Sequence, residues 1–360
     1  VERFGFVGLP NAGKSSLYNA LAGGGALAAP YAFATVDPNV GVAKVPDDRL
    51  QRLAIMSQTK SIVPASVQFV DIAGLVEGAA QGEGLGNRFL AHIREVDAIV
   101  FILRAFVDTD VDGSCDPVDQ LNTLEVELVY SDLETLDKQS EKRRKAARVD
   151  KSLAEEVAAL DAAVELLQAG TPIYRSSLDE AHRQLLKPFF LLTAKPAMAL
   201  VNLDEEQLVD PEPLLAPVRA AFGHGAEERV IGLCIQLEAE AAMLDEESRT
   251  EMLEALGLGE GALPAFLHTA YQMLGLRTFF TTGEKETRAW TFRAGSKAPQ
   301  CAGVIHTDFE RGFIRAETIY WDELLELGSW AKAREVGKAR IEGKEYVVAD
   351  GDVMDFRFNV

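Results

Sequence analysis

An apolar run, RFGFV from Arg3, leads directly into GLPNAGKS at residues 8–15 and then into the helical stretch SSLYNAL. A GxxxxGKS pattern between a strand and a helix admits few folds. It calls for a phosphate-binding loop carried on a parallel α/β sheet. Gly8 and Gly13 let the backbone wrap around a β-phosphate with no Cβ in the way. The loop amides and the helix N-terminus then point at the anion. Asn11, Ala12, Gly13, Lys14, Ser15 and Ser16 are therefore the candidate phosphate contacts. Lys14 brings a positive charge to the β- and γ-phosphates, and the Ser15 hydroxyl is placed to coordinate Mg²⁺. Asn11 has two readings. It simply suits the turn, or it aims its amide oxygen at the phosphates and helps to hold a monovalent cation such as K⁺.

Further motifs follow in the order such a site needs. VQFVDIAG from Val67 ends a strand in a DxxG motif, Asp71 to Gly74. A carboxylate at that strand end reaches the Mg²⁺ shell, and the Gly74 amide meets the γ-phosphate. Between the phosphate loop and this strand lies PYAFATVDPNVG, where Thr35 is the candidate switch threonine whose hydroxyl joins Mg²⁺. Leu75 stands where many switch GTPases carry a water-orienting glutamine, so intrinsic turnover is expected to be slow. Gln81 and Glu83 lie in the glycine-rich stretch that follows, as possible helpers or as a solvated loop face. A dinucleotide reading of GEGLGN fails, because no strand precedes it.

Four more runs, from Val67, Ala98, Ala197 and Arg229, are near-continuously apolar, as strands buried on both faces are. Helical stretches separate them, giving a doubly wound, mostly parallel α/β sheet. Roughly ninety residues separate the Ala98 and Ala197 runs, about three times what one crossover helix needs. Leu121, Leu124 and Leu128 open this excess. Val149, Leu153, Val157, Leu160, Val164 and Leu167 then repeat at helical spacing. The pattern predicts an inserted antiparallel helical hairpin or coiled coil over residues 121–195. It leaves residues 1–120 and 196–275 for the sheet domain. From residue 276 to 360, short strands, glycine turns and alternating aromatics predict a small mixed β domain.

Composition narrows the rest. The chain carries 36 Lys and Arg against 56 Asp and Glu, a net charge of −20, which argues against coating nucleic acid by bulk charge. No DNA partner is expected. Residues 276–360 hold 13 basic and 14 acidic side chains, so nearly all the negative charge lies elsewhere. Cys115, Cys234 and Cys301 are far apart, which excludes a disulfide scaffold and a cysteine zinc module. No apolar run is long enough to span a membrane, and the first residues read as a strand, so no leader is expected. The expected setting is the cytoplasm, and the expected state a monomer.

The base is read where AMALVNL ends in Asn202-Leu203-Asp204-Glu205. Guanine-selective P-loop proteins carry NKxD here, the final Asp taking two hydrogen bonds from guanine. Leu203 in place of Lys and Glu205 in place of Asp spoil that bidentate geometry. Asn202 offers a carbonyl and an amide to adenine. ATP is therefore expected in preference to GTP, with Asn202, Leu203 and Glu205 on the base side. The alternative is that Asp204 shifts register to accept from guanine.

GLPNAGKSSLYNAL, FATVDPN, DIAGLVEGAAQGEGLGNRFLAHIREVDAI, NLDE, IHTDFERGFIRAETI and VVADGDVMDFRFNV together resemble the YchF (Obg-like ATPase) family over nearly the whole chain. The resemblance implies a translation-factor-class P-loop nucleotidase that prefers ATP, with a helical insert and a C-terminal TGS domain of β-grasp fold. It implies the phosphate loop at residues 8–16, the switch threonine at Thr35, the metal-side carboxylate at Asp71 and the base reader at Asn202 and Glu205. It also implies association with the ribosome, on its large subunit. The family's base-side Ser-Ala loop is poorly matched by LCIQLEAE.

Two features suit RNA contact. Lys138, Lys142, Arg143, Arg144, Lys145, Arg148 and Lys151 crowd the helical insert, as a phosphate-binding patch or as a solvated face with i,i+4 ion pairs. Arg288, Arg293, Arg311 and Arg315 beside Trp290, Phe292 and Phe313 suit a stacking surface or a half-buried sheet. The expectation is a Mg²⁺-dependent, slowly hydrolysing ATPase switch in which Lys14, Thr35 and Gly74 are catalytic and Ser15, Thr35 and Asp71 hold the metal. The rivals are an Obg-type GTPase and an ATP-gated ribosome- or RNA-binding module that does not need hydrolysis.

Overall fold

Seven consecutive buried residues, Ala98–Arg104, form the central strand of the first sheet. The computed structural model describes residues 2–23, 40–72, 85–108, 110, 112–223 and 225–359. In chain order the first elements are β1 (Arg3–Val7), α1 (Lys14–Gly23), β2 (Val40–Lys44), α2 (Asp48–Met56), β3 (Ser61–Val63), β4 (Ser66–Asp71), α3 (Leu85–Glu95) and β5 (Ala98–Arg104). Helices α4 (Pro117–Ala147), α5 (Ala154–Gln168) and α6 (Glu180–Leu186) precede β6 (Ala197–Asn202). Then come α7 (Glu212–Phe222), α8 (Ala226–Arg229), β7 (Val230–Leu233), α9 (Ile235–Ala242), α10 (Glu246–Ala255) and α11 (Ala262–Met273).

The five apolar runs all become strands, in the order β2-β4-β1-β5-β6-β7. The β1/β4, β1/β5, β5/β6 and β6/β7 pairs are parallel. The sixth strand, β2, reads VGVAK and alternates half-buried with buried residues. It is an edge strand too short and mixed to stand out as an apolar run. β1 lies between β4 on one side and β5 on the other, so the order reverses at β1. In open α/β sheets that reversal opens a crevice at the carboxyl ends of the strands, where ligands bind. Register brings those ends level: Phe6 faces Asp71, Arg104 faces Asn202 and Asn202 faces Leu233.

The helical insert departs from the expected stripe. Helix α4 runs 31 residues, about 46 Å at the standard rise. Asp116 caps it by accepting the Val118 and Asp119 N–H groups. Leu121, Leu124 and Leu128 pack into the sheet's own core rather than into the hairpin. Val149 is 91% exposed in the turn between the arms, so it does not belong to the buried seam. The seam is Leu136 with Leu160, Ala163 and Leu167, covered by Ile173, Leu186 and Phe189. A third short helix, α6, thus replaces a bare two-helix coiled coil. The buried Asp132 carboxylate accepts from Leu192 N–H, Thr193 N–H and the Thr193 hydroxyl. That fixes where the insert returns to the sheet. Burial raises the Asp132 pKa, and these hydrogen bonds oppose the rise.

The chain divides into two units, Val1–Val42 with Gln68–Leu263, and Ala43–Val67 with Pro264–Val360. The insert over 121–195 falls within the first. The second contains β8 (Leu276–Thr282), β9 (Glu286–Arg293), α12 (Ala298–Ile305), α13 (Thr307–Arg311), β10 (Phe313–Tyr320), α14 (Trp321–Leu327), α15 (Trp330–Glu335), β11 (Arg340–Glu342) and β12 (Asp352–Phe358). Its sheet order is β11-β10-β12-β8-β9-β3. β8 and β12 are parallel neighbours, flanked by antiparallel β9 and β10, with α12 covering Phe279, Phe292 and Phe313. This is a β-grasp arrangement.

The boundaries expected from sequence are revised here. Residues 43–67, assigned to an unbroken 1–120 segment, supply α2 and the edge strand β3 to the C-terminal unit. Arg49 pairs with Asp350 at 2.7 Å, Ser57 with Thr282 at 2.7 Å, and β3 pairs in parallel with β9. Phe292 and Phe313 are core residues and do not form a stacking surface. Trp290 is half-buried, with Arg288 over its ring.

Candidate functional site

The phosphate loop joins β1 to α1. Asn11 has φ 64° and Gly13 φ 105°, both in the left-handed region that asparagine tolerates and glycine favours. That conformation accounts for Asn11 as a turn residue. A Cβ on Gly13 would come within 2.6 Å of Asn202 Nδ2, and one on Gly8 within 2.7 Å of the Ile102 carbonyl. Neither position admits a side chain. Lys14 folds back over the loop, and its Nζ donates to the Gly8 carbonyl at 3.0 Å and the Leu9 carbonyl at 3.3 Å. Burial lowers the Lys14 pKa, and the charge of Asp71 opposes that.

Beneath the loop, Ser15 Oγ donates to Asp71 Oδ2 at 3.2 Å. The other carboxylate oxygen, Asp71 Oδ1, is buried without a hydrogen-bond partner. An orphaned carboxylate oxygen beside a hydroxyl is a hard-oxygen donor set, and the residues present fit Mg²⁺. Mg²⁺ needs few protein ligands when phosphates supply the others. Accordingly, the described residues hold no group of three or more His, Cys, Asp or Glu suited to a metal. Thr35 and Gly74, with Leu75, Gln81 and Glu83, lie outside the described residues.

The carboxyl ends of β1, β5, β6 and β7 surround a cleft of about 1330 Å³. Asn11, Lys14, Ser15 and Ser16 of the phosphate loop line it, as do Asn202, Leu203, Asp204 and Glu205 after β6. The structure assigns these last residues unequal parts. Asn202 is buried, donates from Nδ2 to the Ala12 carbonyl at 3.0 Å, and accepts the Ile235 N–H at 3.1 Å. Its amide thus ties the phosphate loop, β6 and the start of α9 together, and it keeps one N–H and one lone pair beyond these two bonds. Leu203 borders the cleft, but its side chain is 1% exposed in the sheet core. Asp204 Oδ1 accepts the Gln207 N–H at 2.9 Å, a local turn contact. Glu205 is exposed at the rim.

Sequence reading missed the walls. Ile235, Ala239 and Met243 recur at four-residue steps along α9 and its C-cap, and all three line the cleft. Phe106 and Val107, just after β5, line it from the side of Arg104. Met243 is 80% and Val107 70% exposed, so both offer apolar surface to a ring entering the cleft. The apolar spacing in IQLEAEAAM was the available signal. Burial pushes the Cys234 thiol pKa up, so this wall residue is neutral. The cleft therefore combines Lys14 and the loop amides with apolar walls after β5 and on α9, edged by carboxylates such as Asp108, Glu205 and Glu240.

A family model described as "50S ribosome-binding GTPase" matches residues 3–167, and the YchF-GTPase_C model, described as a protein of unknown function, matches residues 276–359. The chain is 47% identical to the ribosome-binding ATPase YchF of Bacillus subtilis, covering 99% of each. It is 44% identical to the protein of the same name from Haemophilus influenzae, again over 99% of each. Among solved structures, that of the Schizosaccharomyces pombe YchF GTPase superposes with a TM-score of 0.89 at 35% identity. It covers 99% of this chain and 97% of that one.

Proposed function

The chain belongs to the YchF family, and from that premise we propose that it is a ribosome-associated, Mg²⁺-dependent ATPase that works as a nucleotide-gated switch in the cytoplasm. The observation that carries the reading is the Ser15–Asp71 contact beneath the phosphate loop, with one carboxylate oxygen buried and unpartnered. Lys14 stabilises charge on the β- and γ-phosphates, and the loop amides from Asn11 to Ser16 hold the phosphates in line. Mg²⁺, when bound by Ser15, Asp71 and Thr35, neutralises phosphate charge. Water attacks the γ-phosphorus and loses its proton to the phosphate oxygens and then to solvent, the bond to the bridging β–γ oxygen breaks, and ADP leaves with that electron pair. The chain contributes mainly position and charge, and Gly74 supplies an amide to the γ-phosphate. Without a glutamine at Leu75, turnover stays slow until a partner completes the site.

The names of the bacterial relatives support ATP, whereas the fission-yeast structure and the N-terminal family model are described as GTPases. Glu205 at the cleft rim, and Leu203 withdrawn into the core, favour adenine over a guanine-type bidentate pair. Equilibrium binding of labelled ATP and GTP in Mg²⁺, followed by turnover of each, decides the matter. Tighter ATP is expected, and tighter GTP makes the chain an Obg-type GTPase. Lys14→Ala should abolish binding of both, and unchanged ATP affinity would remove the site assignment. Turnover in K⁺ equal to that in Na⁺ leaves Asn11 a turn residue alone.

The relatives' names and the 50S description support a ribosomal partner, on the large subunit. In the helical insert, Lys138, Arg143, Arg144 and Lys145 pair with Glu134, Glu156, Asp161 and Glu141. Lys142, Arg148 and Lys151 are exposed around the turn and are the residues we assign to rRNA phosphates. The chain is taken to act as a monomer. No helix among the described residues is long and apolar enough to cross a membrane.

A further inference from the structure

The last residue of β5 is an arginine with 2% of its surface exposed. Arg104 donates from Nε to the Phe106 carbonyl at 3.1 Å, from Nη1 to the Asp112 carbonyl at 3.1 Å and from Nη2 to the Asp108 carbonyl at 3.3 Å. Its guanidinium carbon lies 4.6 Å from the centre of the Phe106 ring. Three carbonyls from one short segment thus converge on a single buried cation. A guanidinium has five donors in a rigid fork, and an ammonium cannot reach the same three directions.

The backbone of Arg104 is held as firmly as its side chain. Gln120 of α4 accepts the Arg104 N–H at 2.8 Å and donates to the Arg104 carbonyl at 2.7 Å. Gln120 is 1% exposed, and it also donates to the Ser114 and Asp116 carbonyls, where the segment ends. On the opposite side, the Asn202 carbonyl accepts from Ala105 and Phe106 N–H. Gln207 donates to the Ala105 carbonyl at 3.0 Å while accepting the Asp204 N–H. The residues that emerge from this clasp are Phe106, Val107 and Asp108, which line the cleft.

We propose that Arg104, clasped by Gln120, is a positioning residue that sets the ring-side wall of the cleft, and so sets affinity for the nucleoside half of the nucleotide. The inference rests on the reading of the cleft as an ATP site. The guanidinium holds the carbonyls of Phe106, Asp108 and Asp112, and Phe106 and Asp108 line the cleft with Val107, so its effect is placed on that wall and on the nucleoside rather than on the phosphates.

The test uses the full chain and compares Mg²⁺-ATP, Mg²⁺-ADP and Mg²⁺-tripolyphosphate by calorimetry. Arg104→Lys should weaken ATP and ADP about tenfold, the scale of one lost charge-assisted hydrogen bond, while tripolyphosphate affinity holds within about twofold. KM for ATP should rise by more than kcat falls, as loss of uniform binding requires. Gln120→Leu, a neutral change on another element, should split the ligands in the same sense and carries the comparison if Arg104→Lys does not fold. Parallel weakening of ATP and tripolyphosphate in either variant, or an unchanged ATP affinity, overturns the inference. If the unsubstituted chain binds neither ATP nor tripolyphosphate, the ATP-site reading falls and this inference with it.

Discussion

The Asn202 side-chain amide donates to the Ala12 carbonyl at 3.0 Å, which ties the strand that ends at the base loop to the phosphate loop. The same side chain accepts from Ile235 N–H. Asn202→Ala leaves two backbone groups at a buried position without partners, at a cost of about 2 kcal/mol. Thermal unfolding should show that loss, and ATP and tripolyphosphate binding should weaken together because the phosphate loop loses its tie. Glu205→Gln, at an exposed position, should leave unfolding unchanged within about 0.5 kcal/mol and alter only the ATP-to-GTP ratio. A variant at Asn202 that changes base preference with full stability would mean that this amide reads the base after all.

Asp71 gives a prediction with two signs. Its Oδ1 is buried and unpartnered, so Asp71→Asn relieves an unsatisfied carboxylate, and the ligand-free chain should unfold at the same temperature or higher. The rise in unfolding temperature that Mg²⁺-ATP gives over Mg²⁺-free ATP should shrink, because the carboxylate charge on the metal side is gone. A destabilised ligand-free protein that keeps its Mg²⁺ response would contradict the metal assignment.

Lys14 sets a pH dependence. Its pKa in the ligand-free chain lies below the ordinary 10.5 because burial penalises the ammonium. A triphosphate favours the ammonium, so the pKa is higher in the complex. Affinity is then full below the ligand-free pKa, and it falls as pH rises from that value toward the value in the complex. The alkaline decline in ATP binding should therefore begin at lower pH than an ordinary lysine gives. In Lys14→Arg, any residual binding should lose that decline, since arginine stays charged. A decline confined to the ordinary lysine range would place Lys14 outside the buried position described.

Much of this architecture is written in local chemistry. β5 and β6 are legible as unbroken apolar runs because both faces are buried, and the phosphate loop is legible because its glycines answer to local backbone geometry. What escapes is long-range. Ser61–Val63 is three residues long and half-exposed, with no pattern to say that it pairs with β9 rather than with the nearest sheet. Val149 keeps the helical spacing of Leu153 and Val157, yet Asp150 caps the next turn and leaves that valine in solvent. Asn202 and Leu203 match a base-reading motif by position, and nothing local announces that their side chains also make the tie to Ala12 and fill the core. Arg104 looks like an ordinary charge at a strand end, because the Phe106, Asp108 and Asp112 carbonyls that it holds leave no residue-type signature.

The turn of the helical insert offers the last test. Lys142, Arg148 and Lys151 are exposed near the end of α4, whereas four neighbouring basic residues pair with carboxylates of the insert. Such surface pairs contribute little to stability, so replacing the exposed three should not unfold the hairpin. The triple change Lys142→Ala, Arg148→Ala and Lys151→Ala should leave ATP affinity unaltered. It should weaken association with ribosomes in sedimentation assays, most at low salt. Each phosphate contact removed flattens the dependence of log affinity on log salt concentration, so the triple variant should show a shallower slope as well as a lower affinity. Unchanged affinity and slope would move the ribosomal contact off this turn. A weaker affinity at an unchanged slope would mean that these side chains act by packing and not by charge.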